Sequence, residues 1–156
     1  MRITLYQPDI PQNTGTILRM AACMDVGVDI IEPCGFVLDD KRLRRSGMDY
    51  LDQVDLTRHI SWSHFQENCT ETGDRLILLT TMGNVPYCDF AFQPSDRLLL
   101  GRESAGAPQD VHDAAHARVC IPMASGARSL NIAMAAAMVL GEALRQTNRF
   151  ATGTAE

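Results

Sequence analysis

Short apolar runs alternate with stretches of helical spacing along most of the chain. Residues 3–6 and 28–31 predict two strands, the second closed by Pro33 and Gly35. Between them, residues 16–26 put Ile17, Met20, Ala21 and Met24 on one helical face. Residues 54–58 predict a third strand. Ser61 or Ser63 can cap a helix over residues 62–68, and Ser63 with Gln66 has the spacing of a capping box. Residues 75–81, 97–100 and 117–121 read as buried strands. A helix follows Pro108, and a last helix covers about residues 129–145, apolar without a break from 132 to 140. Short strands interleaved with helices predict an α/β fold: a mostly parallel sheet with helices on both faces. In such sheets ligands bind beyond the carboxyl ends of strands. That directs attention to three exits, MGNVP after Thr81, GRESAGAP after Leu100 and PMASGARS after Ile121.

The chain has 156 residues, 46% of them hydrophobic and 21% charged, the size and balance of one globular domain. No repeat, low-complexity tract or linker divides it. Residues 1–156 are therefore expected to form a single domain, with about the last eight as a flexible tail. The start, MRITLYQPDIP, lacks the regions of a signal peptide. The longest clean apolar run, residues 132–140, is far short of the roughly 20 residues that span a bilayer. A cytoplasmic protein with no membrane partner is expected.

A net charge of −5 gives no global attraction to nucleic acid. Locally, Lys41, Arg42, Arg44 and Arg45 place four cations in five residues, and Lys41 is the only lysine in the chain. This stretch is either a solvated helix face or the phosphate-contacting patch that an acidic RNA-binding protein needs. The five cysteines include no C-x-x-C pair, which argues against a disulfide framework and a zinc site. His112 and His116 are four apart without a third ligand nearby, so no metal is expected. GRESAGAP has no Lys-Ser or Lys-Thr after its second glycine and is not G-x-G-x-x-G, which removes the P-loop and dinucleotide-fold readings. Glu103 is the one carboxylate within it. Asn13, Gly15 and Arg19 stand at a loop-to-helix junction, where an anion can meet free N–H groups and Arg19 can contact a phosphate; taken alone, the spacing reads first as a capped helix with a surface arginine.

Three segments together resemble a known family. N-x-G-x-x-x-R at Asn13–Arg19, L-x-G-x-E-x-x-G-x-P at Leu99–Pro108 and I-P-M-x-x-x-x-R-S-L-N at Ile121–Asn131 are similar to the three motifs of the SPOUT RNA methyltransferases. IIEPCGFVLDDKRLRRSGMDY, residues 30–50, resembles the compact subgroup without an added RNA-binding domain. The resemblance covers about residues 2–146.

It implies a C-terminal segment threaded through a loop as a deep trefoil knot, a homodimer, S-adenosylmethionine as cofactor without a metal, and tRNA as partner. The reaction implied is methyl transfer to the ribose 2′-hydroxyl of the wobble nucleotide, position 34, cytidine or modified uridine, of leucine tRNAs. By position, the resemblance assigns cofactor contacts to Leu79, Gly101, Glu103, Ile121, Met123 and Ser129. It assigns catalysis to Arg19, Ser129 and Asn131, and RNA contact to Asn13, Arg19 and Arg128 beside the basic stretch. The chain departs from the family pattern at Ala133, Met134 and Gly141, in the helix the resemblance puts at a dimer interface. Another RNA target within the family, or a non-catalytic RNA-binding module, are the alternatives.

Overall fold

The computed structural model describes residues 1–38 and 53–152. Lys41, Arg42, Arg44 and Arg45 lie outside the described residues. Among those described, seven strands form one sheet: β1 Arg2–Tyr6, β2 Gly27–Ile31, β3 Leu56–His59, β4 Leu76–Leu79, β5 Val85–Pro86, β6 Arg97–Leu100 and β7 Ala117–Cys120. Their order is β3-β2-β1-β6-β4-β7-β5, and every pairing is parallel.

The central strands LILL and RLLL are almost wholly apolar because both faces of the sheet are covered. Helices α1 Pro11–Cys23 and α4 Ile132–Thr147 cover one face. There Ile17, Leu18, Val139 and Leu140 pack on Ile3, Leu5, Ile77 and Leu98. Helices α2 Trp62–Thr72 and α3 Gln109–Ala114 cover the other, where Phe65, Cys69 and Val111 meet Tyr6, Ile31, Leu78 and Leu99. The expected parallel α/β sheet with helices on both faces is thus present.

Element boundaries differ from the expectation where caps decide them. α1 starts at Pro11, five residues before the apolar spacing begins at 16, because Pro11 presets a helical φ in the first turn. Ser61 alone caps α2, accepting from His64 N–H at 3.1 Å, so Ser63 and Gln66 form no capping box. α4 starts at Ile132 rather than 129, because the Asn131 side chain is its cap. β5 and the 3₁₀ turn Tyr87–Asp89 have no sequence signal; two strand residues carry no readable period.

β7 lies between β4 and β5 although residues 80–84 alone join those two strands. This connection wraps tightly around the end of β7. Thr80 N–H donates to the Val119 carbonyl at 3.0 Å, and a Cβ at Gly83 would come 2.6 Å from the Val119 carbonyl carbon.

A charged cluster sits toward the amino-terminal ends of the strands. Asp29 is buried; it accepts from Arg2 Nε at 3.0 Å and Arg97 Nη1 at 2.8 Å, and lies 3.1 Å from His59 Nε2. Arg97 also donates to Asp74 at 2.8 Å. Removing one partner from such a cluster strands a buried charge. Asp29→Ala is therefore expected to lose about 3–5 kcal/mol in urea unfolding. Asp55→Ala removes a 73%-exposed partner of Arg2 and should lose no more than about 1 kcal/mol. Equal losses would refute a dominant role for the Asp29 cluster.

Candidate active site

The adjacency of β6, β4 and β7 brings their carboxyl ends to one edge, and the three exits chosen from the sequence surround one cavity of about 670 Å³ there. Leu79, Leu100, Val119 and Ile121 give it an apolar wall, closed from one side by Ile132 and Val139 of α4. Asn13, Arg102, Glu103, Arg128, Ser129 and Asn131 give it a polar border. Gly101 and Met123 also line it, so each position assigned to cofactor contact lies at this one cavity. Arg19 does not line it; it is exposed on α1, two turns into the helix rather than one.

Hydrogen bonds join the three motifs. Asn13 Nδ2 donates to Glu103 Oε1 at 3.3 Å, and Asn131 Nδ2 donates to Asn13 Oδ1 at 2.9 Å. Asn131 Oδ1 in turn accepts from the N–H groups of Ala133 at 2.9 Å and Met134 at 3.4 Å. The direction of this chain is dictated at its start. An ionised carboxylate only accepts, so Asn13 must turn its amide nitrogen toward Glu103 and its oxygen toward Asn131. Asn131 must then donate, which leaves its oxygen for the helix. Two N–H groups at the start of α4 are therefore occupied by Asn131. Each asparagine still keeps one amide hydrogen beyond these bonds. Asn13, expected at RNA, is committed to this internal tie.

A second tie fixes the loop after β6. Glu103 Oε2 accepts from Asp9 N–H at 2.9 Å, Glu103 N–H donates to Asp9 Oδ1 at 3.1 Å, and the Ser104 hydroxyl donates to Asp9 Oδ2. Partial burial opposes ionisation of Asp9. Hydrogen bonding to Glu103 and Ser104, with the charge of Arg102, outweighs it and holds the carboxyl down at about 2. Within the loop, Arg102 and Gly106 exchange backbone bonds of 2.9 and 2.8 Å, with Gly106 at φ 70. The turn presses on Gly101, where a Cβ would lie 2.5 Å from Ala107 N; only glycine fits.

Residues 1–141 match the model of the SpoU rRNA methylase family. The chain belongs to this family. Within it, the chain is 59% identical over 149 residues to a protein of Beijerinckia indica named tRNA (cytidine(34)-2'-O)-methyltransferase, covering 96% of this chain and 93% of that one. It is 42% identical over 148 residues to the protein of the same name from Escherichia coli K12, covering 94% and 93%. Among solved structures, one described as giving structural insights into the 2-OH methylation of C/U34 on tRNA is 38% identical with a TM-score of 0.87, covering 93% of this chain and 94% of that one. The SpoU methyltransferase AviRb of Streptomyces viridochromogenes, solved in complex with the cofactor AdoMet, is 29% identical with a TM-score of 0.85; the match covers 94% of this chain and 60% of AviRb. The SPOUT resemblance read from three motifs is borne out.

Three residues whose place no motif signals also belong to this SpoU-family site. Asp9 ties two motif loops, Arg102 brings a second guanidinium to the border beside Arg128, and His112 lies in the cavity wall. Among the described residues, no group of three His, Cys, Asp or Glu side chains is placed to hold a metal ion. No described helix is long and apolar enough to cross a membrane.

The imposed polarity of the amide chain is testable. Asn13→Asp sets a second acceptor against Glu103, whereas Asn13→Ala only removes the link. Asn13→Asp should be the less stable of the two in thermal unfolding, by about 1 kcal/mol or more. Equal stability would show that Glu103 does not set the direction.

Proposed function

We propose that the chain transfers a methyl group from S-adenosylmethionine to the ribose 2′-hydroxyl of the wobble nucleotide, position 34, of leucine tRNAs, with cytidine or modified uridine as the base. The carrying observation is that the Glu103–Asn13–Asn131 bonds join all three family motifs around one cavity. The names of the relatives, matched over nearly their whole length, support the substrate. A tRNA substrate also fits the cytoplasm.

The cavity suits the cofactor. Leu79, Leu100 and Ile121 offer apolar contact to a nucleoside, and Gly101 leaves backbone exposed at the wall. S-adenosylmethionine supplies a methyl already activated by its sulfonium. The protein then has to place the 2′-oxygen in line and assist loss of its proton. Ser129, exposed at the border, and Asn131, held by Asn13, are assigned to positioning the ribose. Arg128 and Arg102 offer cations to RNA phosphates.

Arg19 is assigned to the substrate as well. Arginine stays protonated at physiological pH, so gripping a phosphate and stabilising charge on oxygen suits it better than acting as a base. α4 leaves Met134 60% and Met138 40% exposed, one turn apart, near the exposed Leu130. We assign this apolar face to a homodimer contact, which puts Met134 at the interface and leaves Ala133 in the core. The passage of β7 between β4 and β5, inside the short 80–84 connection, supports a knotted C-terminal segment.

The test is transfer of labelled methyl from S-adenosylmethionine to bulk tRNA, followed by mapping of the modified nucleotide. Label at position 34 of leucine tRNAs is expected. Label elsewhere points to another RNA site, and none in any RNA sinks the reading. Arg19→Ala should reduce transfer at least about 100-fold, and Arg19→Lys should recover little if bidentate gripping matters. Replacing Arg42, Arg44 and Arg45 with Ala should weaken tRNA binding and flatten its log–log salt slope by about 2–3, with cofactor affinity unchanged. An unaltered slope would mark that stretch as a solvated face.

A further inference from the structure

His112, like Thr80 and Thr81, is a polar residue of the cavity wall outside the three motifs. His112 on α3 is 5% exposed and lines the cavity. Its backbone is held at both ends: its N–H donates to the Pro108 carbonyl at 3.1 Å, and its carbonyl accepts from Arg118 Nη1 at 3.2 Å. This fixes the point from which the side chain emerges. Among the described residues the ring makes no hydrogen bond. Among the described residues, the sealed side-chain atoms without a partner are His59 Nδ1 and Arg102 Nε, so the ring nitrogens of His112, a residue of the cavity wall, are not sealed. Buried polar groups are nearly always hydrogen-bonded. An imidazole carries a donor in every form and an acceptor when neutral, so His112 offers a bond that the protein itself does not use.

The surroundings narrow what takes that bond. The strand-end wall of Leu79, Leu100 and Val119 is apolar, whereas the charged and amide groups collect at the border. A flat heteroaromatic ring with polar atoms on its edge suits such a wall, and one polar side chain then fixes its orientation. We propose that His112 reads the heteroatom edge of the cofactor's purine and is a specificity-determining contact for the nucleoside. This inference rests on the reading that the cavity binds S-adenosylmethionine.

The test is a protein–ligand cycle by calorimetric titration. S-adenosylhomocysteine and its 6-deamino, 7-deaza and 3-deaza counterparts are titrated into the unaltered protein, His112→Phe and His112→Gln. His112→Phe should weaken S-adenosylhomocysteine by about 3- to 10-fold, the size of one hydrogen bond. At least one analogue should weaken to a similar extent on the unaltered protein and show no further loss on His112→Phe. His112→Gln, which keeps a donor and an acceptor, should retain part of the affinity. The ligand-free melting temperature of His112→Phe should be unchanged or raised, since an unused polar group leaves the interior. If that variant misfolds, the same cycle on His112→Gln decides. Additive losses for all three analogues overturn the role of His112 and leave the cofactor reading standing. Failure of the unaltered protein to bind S-adenosylhomocysteine removes both.

Discussion

The position of β4 between β6 and β7 is the constraint on which the rest depends. Parallel pairing aligns Leu79 with both Leu100 and Val119, so three chain exits leave the sheet at one level and side by side. Residues far apart in the chain are then close enough to bond, as Asn13 does to Glu103 and to Asn131. A sheet ordered as its strands occur in the chain would separate these exits. The hydrogen-bonded amides refine the geometry, but the strand order makes them neighbours.

Two charged assemblies sit at opposite ends of the strands and do different work. Near the amino-terminal ends, Asp29 is sealed from water and its partners Arg2, Arg97 and His59 satisfy it within the fold. At the carboxyl ends, Asp9 and Glu103 spend their acceptors on the backbone and side chains of motif loops, while Arg128 stays exposed. Charge locked in pairs supports structure; charge left facing water is available to a polyanion. That division lets a chain of net charge −5 keep an exposed arginine, Arg128, at the border of one cavity.

The legible parts of the fold were those where burial left a pattern. β6 is legible with both ends in place because Leu98, Leu99 and Leu100 are buried on both sides. The start of α1 is not legible, because Asn13 and Gly15 are poor helix formers, and tertiary contacts, not propensity, place them there. At the site, Gly101, Glu103 and Asn131 were legible because three spaced motifs point to strand exits. Arg19 shared a motif with Asn13, yet the helix carries it to the outer surface. His112 had no such signal: beside His116 it suggested only an incomplete metal pair, and nothing in its spacing placed it in a cavity wall. Asp9 announced itself only by following a strand end.

The strand order also sets a schedule. β5 pairs with β7 and with no other described strand. Val85 and Pro86 precede their partners Val119 and Cys120 by more than 30 residues, and during synthesis they must wait for them. The cavity edge is likewise unfinished until that late segment arrives. Assembly of the sheet therefore cannot proceed in the order of translation, because its last-made strand is the partner that both β4 and β5 await. For a domain of this length, the slow step of folding is expected to be this late, long-range strand pairing rather than helix formation.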